Sequence, residues 1–203
     1  MAFSFIKRFL LFSAAVIFLC SGFLPWSSAS AFFFSSSQDP HPDQEFWCYS
    51  LSSSRVEVAL EAARAAVAGG IPVLEVVLST PGVFEVKQQL SERKRYFSLH
   101  TILRVEDAKT AIKAGAKFLM SPAIVKDIMD YVQCTESLYI PGAMTPTEIL
   151  SAYETGAKII KVYPVSARGG VRYISALKKP FAQIPLVASQ GITIGTFAGY
   201  LVN

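Results

Sequence analysis

The sequence predicts an α/β fold, a parallel sheet covered by helices, and three observations lead there. Helix-like and strand-like patterns alternate strictly from Arg55 to Leu201, with short loops between them. The strand-like runs are apolar along their length, as expected of strands buried on both faces. With 52% hydrophobic and 17% charged residues over 203 positions, the chain must bury a core or enter a membrane. Seven strand–helix units can be read along the chain. Seven units fit either a barrel one unit short of eight or an open sheet.

Three segments precede and contain these units. Residues 1–31 carry the basic pair Lys7-Arg8, an apolar run from Phe9 to Leu24, and small residues around Ala29 and Ala31. This is the build of a secretory signal peptide. An uncleaved membrane anchor, with contact through residues 9–26, is the next reading, and a Ser-rich, acid-poor plastid transit peptide the third. The expected localisation is therefore secretory or membrane-targeted, with plastid or cytosol as the alternative. Residues 32–45, FFFSSSQDPHPDQE, read as a linker, and the folded domain is expected over residues 46–203.

Within that domain Phe46 to Leu51 is a first, atypical strand, followed by a helix from Arg55 to Ala68 that stops at Gly69-Gly70. Strands follow at Ile71–Leu78, Tyr96–Leu103, Lys117–Met120, Leu138–Ile140, Lys158–Tyr163 and Ile184–Ala188. Helices are expected at Pro81–Ser91, Glu106–Ala114, Pro122–Gln133, Thr145–Glu154, Gly170–Leu177 and Ile192–Leu201. Thr145-Pro146-Thr147-Glu148 is a capping-box start with proline at the first helical position.

Composition also narrows the chemistry. A net charge of +4 is mild, and its one tight cluster, Arg93-Lys94-Arg95, is too short for a nucleic-acid surface, so no nucleic-acid partner is expected. Cys20, Cys48 and Cys134 lack metal-ligand or disulfide spacing, and His41 and His100 are the two histidines, so no metal site is expected. His100 reads more readily as a strand residue than as a general base.

Two ionisable residues interrupt apolar strands: Glu75 in Val73-Leu74-Glu75-Val76-Val77 and Lys161 in Ile159-Ile160-Lys161-Val162-Tyr163. Period-2 alternation sends Lys158 to the face opposite Lys161. A charge in a parallel strand is costly unless paired or neutralised, so the two are either a packing ion pair or a catalytic site. A desolvated lysine amine can attack a carbonyl to form a Schiff base, and a carboxylate beside it can move protons. The protonated imine is then the electron sink, and no cofactor is needed.

The runs Ala68-Gly69-Gly70-Ile71 through Val76, Gly115-Ala116-Lys117-Phe118-Leu119-Met120-Ser121-Pro122, Ile140-Pro141-Gly142-Ala143-Met144-Thr145 and Lys161-Val162-Tyr163-Pro164 resemble the 2-keto-3-deoxy-6-phosphogluconate (KDPG) / 4-hydroxy-2-oxoglutarate (KHG) aldolase family. The likeness runs from about Arg55 to Gly191. It implies an α/β fold of the (β/α)8 TIM-barrel type, here incomplete, with about seven βα units and the eighth strand missing. It implies a class I aldolase, a lyase that releases pyruvate and an aldehyde from a 2-keto acid, and a homotrimer. The alternative is a catalytically silent, truncated member acting by binding or assembly. By resemblance Lys161 and Glu75 are catalytic, as imine-forming lysine and acid/base carboxylate. Thr101, Pro122, Pro141, Gly142, Gly169, Gly170 and Gly191 are substrate-binding positions. Two departures stand out: Leu78-Ser79-Thr80 lies where the family commonly has an arginine for the pyruvate carboxylate, and Ser98-Leu99-His100-Thr101 replaces a Gly-x-Gly-Thr turn. An incomplete barrel is expected to leave the first and last strands as open edges.

Overall fold

The computed structural model describes residues 29–34, 46–51, 54–68, 73–79, 81–83 and 96–201. The hydrophobic run of residues 9–26, the Arg93-Lys94-Arg95 cluster and most of the helix expected at Pro81–Ser91 lie outside them. Among the described residues no helix is long and apolar enough to cross a membrane.

Strands β1 (Ala29–Phe34) and β2 (Phe46–Leu51) come first, then helix α1 (Val56–Ala68), β3 (Val73–Val77) and β4 (Tyr96–His100). Next are α2 (Val105–Lys113), β5 (Phe118–Met120), α3 (Lys126–Val132), β6 (Leu138–Ile140) and β7 (Gly142–Ala143). The chain continues through α4 (Pro146–Glu154), β8 (Ile160–Val162), a 3-10 turn at Val165–Arg168, α5 (Val171–Lys178), β9 (Leu186–Ala188) and α6 (Ile194–Leu201). Among the described residues a helix follows β2 and each strand from β4 to β9 except β6, as the expected βα alternation requires.

These strands form one sheet in the order β6-β5-β4-β3-β2-β1-β9-β8-β7. Every pairing from β2 onward is parallel. The outermost strands, β6 and β7, are separated in the chain by Pro141 alone. One stretch, residues 138–143, thus pairs with β5 through Leu138–Ile140 and with β8 through Gly142–Ala143. The carbonyl of Pro141 accepts from the Lys161 amide across the same junction, at 2.9 Å.

The expected open edges on β2 and β9 are both paired. Strand β1 runs antiparallel to β2 over six residue pairs, Ala29↔Leu51 to Phe34↔Phe46, and antiparallel to β9 at Phe33↔Ala188 and Phe34↔Val187. It spans the boundary expected at residue 31 between leader and linker. Unpaired edge amides and carbonyls cost free energy when water is excluded from them, and β1 satisfies those of two strands at once.

Two identical helix-to-strand joints carry the repeat. After α2, the Ala116 amide donates to the Ala111 carbonyl at 3.0 Å, with Gly115 at φ 85°. After α4, the Ala157 amide donates to the Ala152 carbonyl at 3.0 Å, with Gly156 at φ 103°. Only glycine takes that backbone conformation without a Cβ penalty, and each joint then buries an alanine as the next strand begins. At the start of α4 the capping box read from the sequence is formed. Glu148 accepts from the amides of Met144 and Thr145, and the Thr145 hydroxyl accepts from the Glu148 amide. These backbone donors hold the Glu148 carboxyl below its ordinary value.

The helices pack on one face of the sheet. Leu74, Val76, Leu119, Tyr139, Ile160, Val162, Leu186 and Ala188 join Ala59, Ala63, Ala108, Ala111, Ile149, Ile174 and Leu177 in one core. Ala59 and Ala63 are four residues apart and fully buried, so small side chains let α1 lie close to the strands.

Two measurements check this description. A chain lacking residues 1–34 should show faster amide hydrogen exchange in β2 and β9 than the full chain, with α4 unchanged; equal protection would refute the edge-covering role of β1. Glu148 is depressed on folding, so its contribution is present above the ordinary carboxylate range and lost as pH falls. The Glu148→Ala substitution should therefore lower the melting temperature at neutral pH and cease to matter in acid.

Candidate functional site

Strand parity separates a second buried face from the helix-packed one. Met120, Ile140 and Val187 are buried but stand outside the helix–sheet core, and each lies one residue from a strand position inside it. Met120 and Ile140 are register partners, and Val187 is the partner of Lys161. Lys161 in turn pairs with Gly142. Glu75 lies between the core residues Leu74 and Val76, in register with Ser50 and Ser98. These inner-face positions are what remains once the helices have covered the alternate residues.

Glu75 and Lys161 are both 0% exposed, while Lys158, on the other parity, is exposed. Strands β2, β1 and β9 separate β3 from β8 in one direction around the sheet. In the other direction β4, β5 and the 138–143 stretch separate them. The two residues therefore enter the inner face from opposite sides. The Lys161 side chain is fully buried, so its amine is held away from bulk water. The Lys161 Nζ lies 5.0 Å from the centroid of the Tyr163 ring. Tyr163 is two residues further along and shares the parity of Lys161, a period-2 signal present in the sequence but not used there.

The remaining sequence-predicted positions gather at the C-terminal ends of the strands. Thr101 follows β4 with φ 67°, a conformation rare for a β-branched residue and costly enough to mark a constrained point. Pro122 follows β5, and Pro141 and Gly142 connect β6 to β7. A Cβ on Gly142 would stand 2.3 Å from the Pro122 carbonyl oxygen, so the backbone of the loop after β5 closes directly on this strand. Beneath that loop the Ser121 hydroxyl and the Tyr139 hydroxyl share a 2.6 Å hydrogen bond, and Tyr139 accepts from the Val125 amide at 3.2 Å. Burial pushes the Tyr139 phenol up from its ordinary value despite these bonds, so it stays neutral and holds the loop as a donor–acceptor.

Gly169 and Gly170 join the 3-10 turn after β8 to α5, and Gly191 follows β9. The Val165 amide donates to the Ser189 carbonyl at 2.9 Å, and a Cβ on Gly191 would meet Ser166 Cβ at 2.3 Å. The loops after β8 and β9 are thereby pressed together. The space beside Gly169 is open, whereas a Cβ on Gly170 would come 3.0 Å from the Tyr200 hydroxyl. The structure brings Lys161, Gly142, Pro141 and Pro122 together through register and the loop contact. It groups Gly169, Gly170 and Gly191 on the neighbouring rim. Ser189, in the run Ser189-Gln190-Gly191 that the family resemblance already marked, has a buried Oγ with no hydrogen-bond partner among the described residues.

Among the described residues no three His, Cys, Asp or Glu side chains cluster as metal ligands. The side chain of His100 is outside the description.

Comparison with known proteins gives a consistent result. The family described as KDPG and KHG aldolase matches residues 50–203. A 2-dehydro-3-deoxy-phosphogluconate aldolase of Treponema pallidum is 31% identical over 153 residues, 73% of this chain and 72% of that protein. The KHG/KDPG aldolase of Escherichia coli K12 is 29% identical over 149 residues, 72% of this chain and 70% of that protein. Among solved structures, KDPG aldolase from Legionella pneumophila, with pyruvate captured at low pH as a covalent carbinolamine intermediate, superposes with a TM-score of 0.69. It is 28% identical and covers 74% of each chain. The Zymomonas mobilis ZM4 aldolase with 3-phosphoglycerate gives a TM-score of 0.70 at 26% identity, covering 75% of this chain and 73% of that one.

The contact at Gly142 can be tested directly. The Gly142→Ala substitution should cost about 1–3 kcal/mol in urea unfolding, because backbone and not a movable side chain occupies the space. An unchanged midpoint would mean that the Pro122 loop does not rest on this strand.

Proposed function

The chain belongs to the KDPG and KHG aldolase family of class I Schiff-base lyases, and from that premise we propose that it cleaves KDPG or KHG to pyruvate and an aldehyde through an imine on Lys161. The observation that carries this reading is a fully buried lysine on the inner face of the sheet, with a fully buried carboxylate, Glu75, entering from the opposite side.

The Lys161 amine attacks the keto carbon, and the resulting carbinolamine loses water to give an iminium ion. Glu75 carries the protons of these steps and accepts the proton of the substrate hydroxyl. As that proton leaves, the carbon–carbon bond breaks, the aldehyde departs, and the bonding pair moves into the iminium to give a neutral enamine. Protonation of the enamine carbon and hydrolysis release pyruvate and restore the amine. The captured carbinolamine in the Legionella relative is the same kind of adduct and supports assigning it to the lysine here. Thr101, Pro122, Pro141 and Gly142 are proposed to hold the keto-acid end, and Gly169, Gly170 and Gly191 the far end of the substrate. The working domain organisation is a leader over 1–31, a linker over 32–45 and a (β/α)8-type domain over 46–203, assembled as a trimer.

A second reading, a family member that does not catalyse, is favoured by Leu78-Ser79-Thr80, which supplies no cation for the substrate carboxylate. Borohydride reduction in the presence of pyruvate separates the two. The expected result is a pyruvyl adduct on Lys161, absent in Lys161→Ala, and no adduct on the native chain would refute the aldolase reading. The Glu75→Gln substitution should still form the adduct while slowing cleavage by about 10²–10⁴-fold, the usual scale of general acid–base catalysis.

A further inference from the structure

We propose that the N-terminus of α5 is a phosphate site, that the Tyr200 hydroxyl is one of its donors, and that it anchors the phosphorylated end of the substrate. The inference deepens the far-end assignment of Gly169 and Gly170 and rests on it, whereas phosphate binding at α5 can be measured without it.

Helix α5 starts at Gly170 with no side-chain cap, and the amides of Val171 and Arg172 have no acceptor among the described residues. Free amides and the helix dipole at such an end favour an anion. Tyr200, on α6, adds a further donor. Its side chain is 3% exposed, and its hydroxyl lies 3.0 Å from the place a Cβ on Gly170 would take. The hydroxyl thus stands where the capping side chain of an ordinary helix begins, yet it makes no hydrogen bond among the described residues. Burial alone moves the phenol, and upward, so it keeps its proton and can donate. A buried hydroxyl without a partner is costly, and a ligand oxygen accepting from it removes that cost. The packing fixes its place: a Cβ on Gly199 would come 3.0 Å from Val171 Cγ2, so α6 lies close against the first turn of α5. The space beside Gly169 is open, and the exposed Arg168 and Arg172 add positive potential around it. The neighbouring start of α6 differs. There the Thr196 amide donates to the Thr193 hydroxyl and the Thr193 amide to the Thr196 hydroxyl, so two side chains cover that end. A phosphate monoester brings three acceptor oxygens, enough for both amides and the phenol together, where a carboxylate brings only two.

The test is a titration of the full-length chain with inorganic phosphate, followed by amide chemical shifts in NMR. Shifts should concentrate on Gly170, Val171 and Arg172. The Tyr200→Phe substitution should weaken phosphate binding about tenfold, the scale of one hydrogen bond to a charged group. It should not lower the melting temperature of the phosphate-free chain, because the hydroxyl it removes has no partner there. Shifts centred on residues 192–196, a Tyr200→Phe chain that binds phosphate as the native chain does, or no binding at all would overturn the site. A substrate arm decides whose phosphate is held. Tyr200→Phe should raise KM for KDPG about tenfold with kcat little changed, and raise KM for KHG, which carries no phosphate, by less. An unchanged KM for KDPG, with phosphate still bound at α5, would overturn the substrate anchor and mark a site for free phosphate alone. Absence of a pyruvate adduct in the native chain would overturn the aldolase reading and the anchor with it, while the phosphate titration would still decide the site.

Discussion

The constraint on which the structure depends is that strands are buried on both faces: every residue of β7, β8 and β9 is buried, as are the last two of β5 and of β6. Leu74 and Val76 lie against helices, and Glu75, between them, has no water to face. Ile160 and Val162 do the same for Lys161. An ionisable side chain in such a position costs several kcal/mol unless a neighbour or a protonation change compensates it. Two ionisable side chains stand in such positions, and under the proposed aldolase function both serve the chemistry.

The same burial determines how the rim is built. Because the inner face is filled by Met120, Ile140 and Val187, reactive groups have to work at the C-terminal ends of the strands, where loops replace side chains. Those loops are held by backbone contacts and by short polar bridges. Gly142 leaves room for the Pro122 carbonyl, Gly191 for Ser166, and the Ser121–Tyr139 pair fixes the turn after β5. Rigid loops of this kind would, under the proposed function, keep Lys161 and a bound keto acid in one geometry.

The N-terminal part of the chain adds a feature that strand–helix repetition does not contain. Strand β1 is antiparallel in a sheet whose other pairings are parallel, and it joins β2 to β9. Its hydrogen bonds occupy both edges beside the expected incomplete unit. The sheet is thereby continuous from β2 through β1 and β9 to β8, and the inner face next to Lys161 and Val187 is bounded on that side by backbone.

Much of this was legible in sequence because it is local or periodic. The capping box at Thr145 and Glu148 is a four-residue pattern, and the Gly115 and Gly156 helix stops are single-residue signals. The Glu75 and Lys161 positions stand out because a charge inside an apolar strand breaks a period of two. Tyr163 obeyed the same period and was still missed, since an aromatic residue in a strand is ordinary until a cation is found beside its ring. The sequence by itself therefore determined the order of the described elements after β1, the family and the two buried ionisable groups. Only the tertiary structure decided which strands lie opposite one another, that residues 138–143 serve two neighbours, and that Ala29–Phe34 pairs with both β2 and β9. Those are matters of register and of contacts between residues far apart in the chain, which no local pattern of side chains encodes.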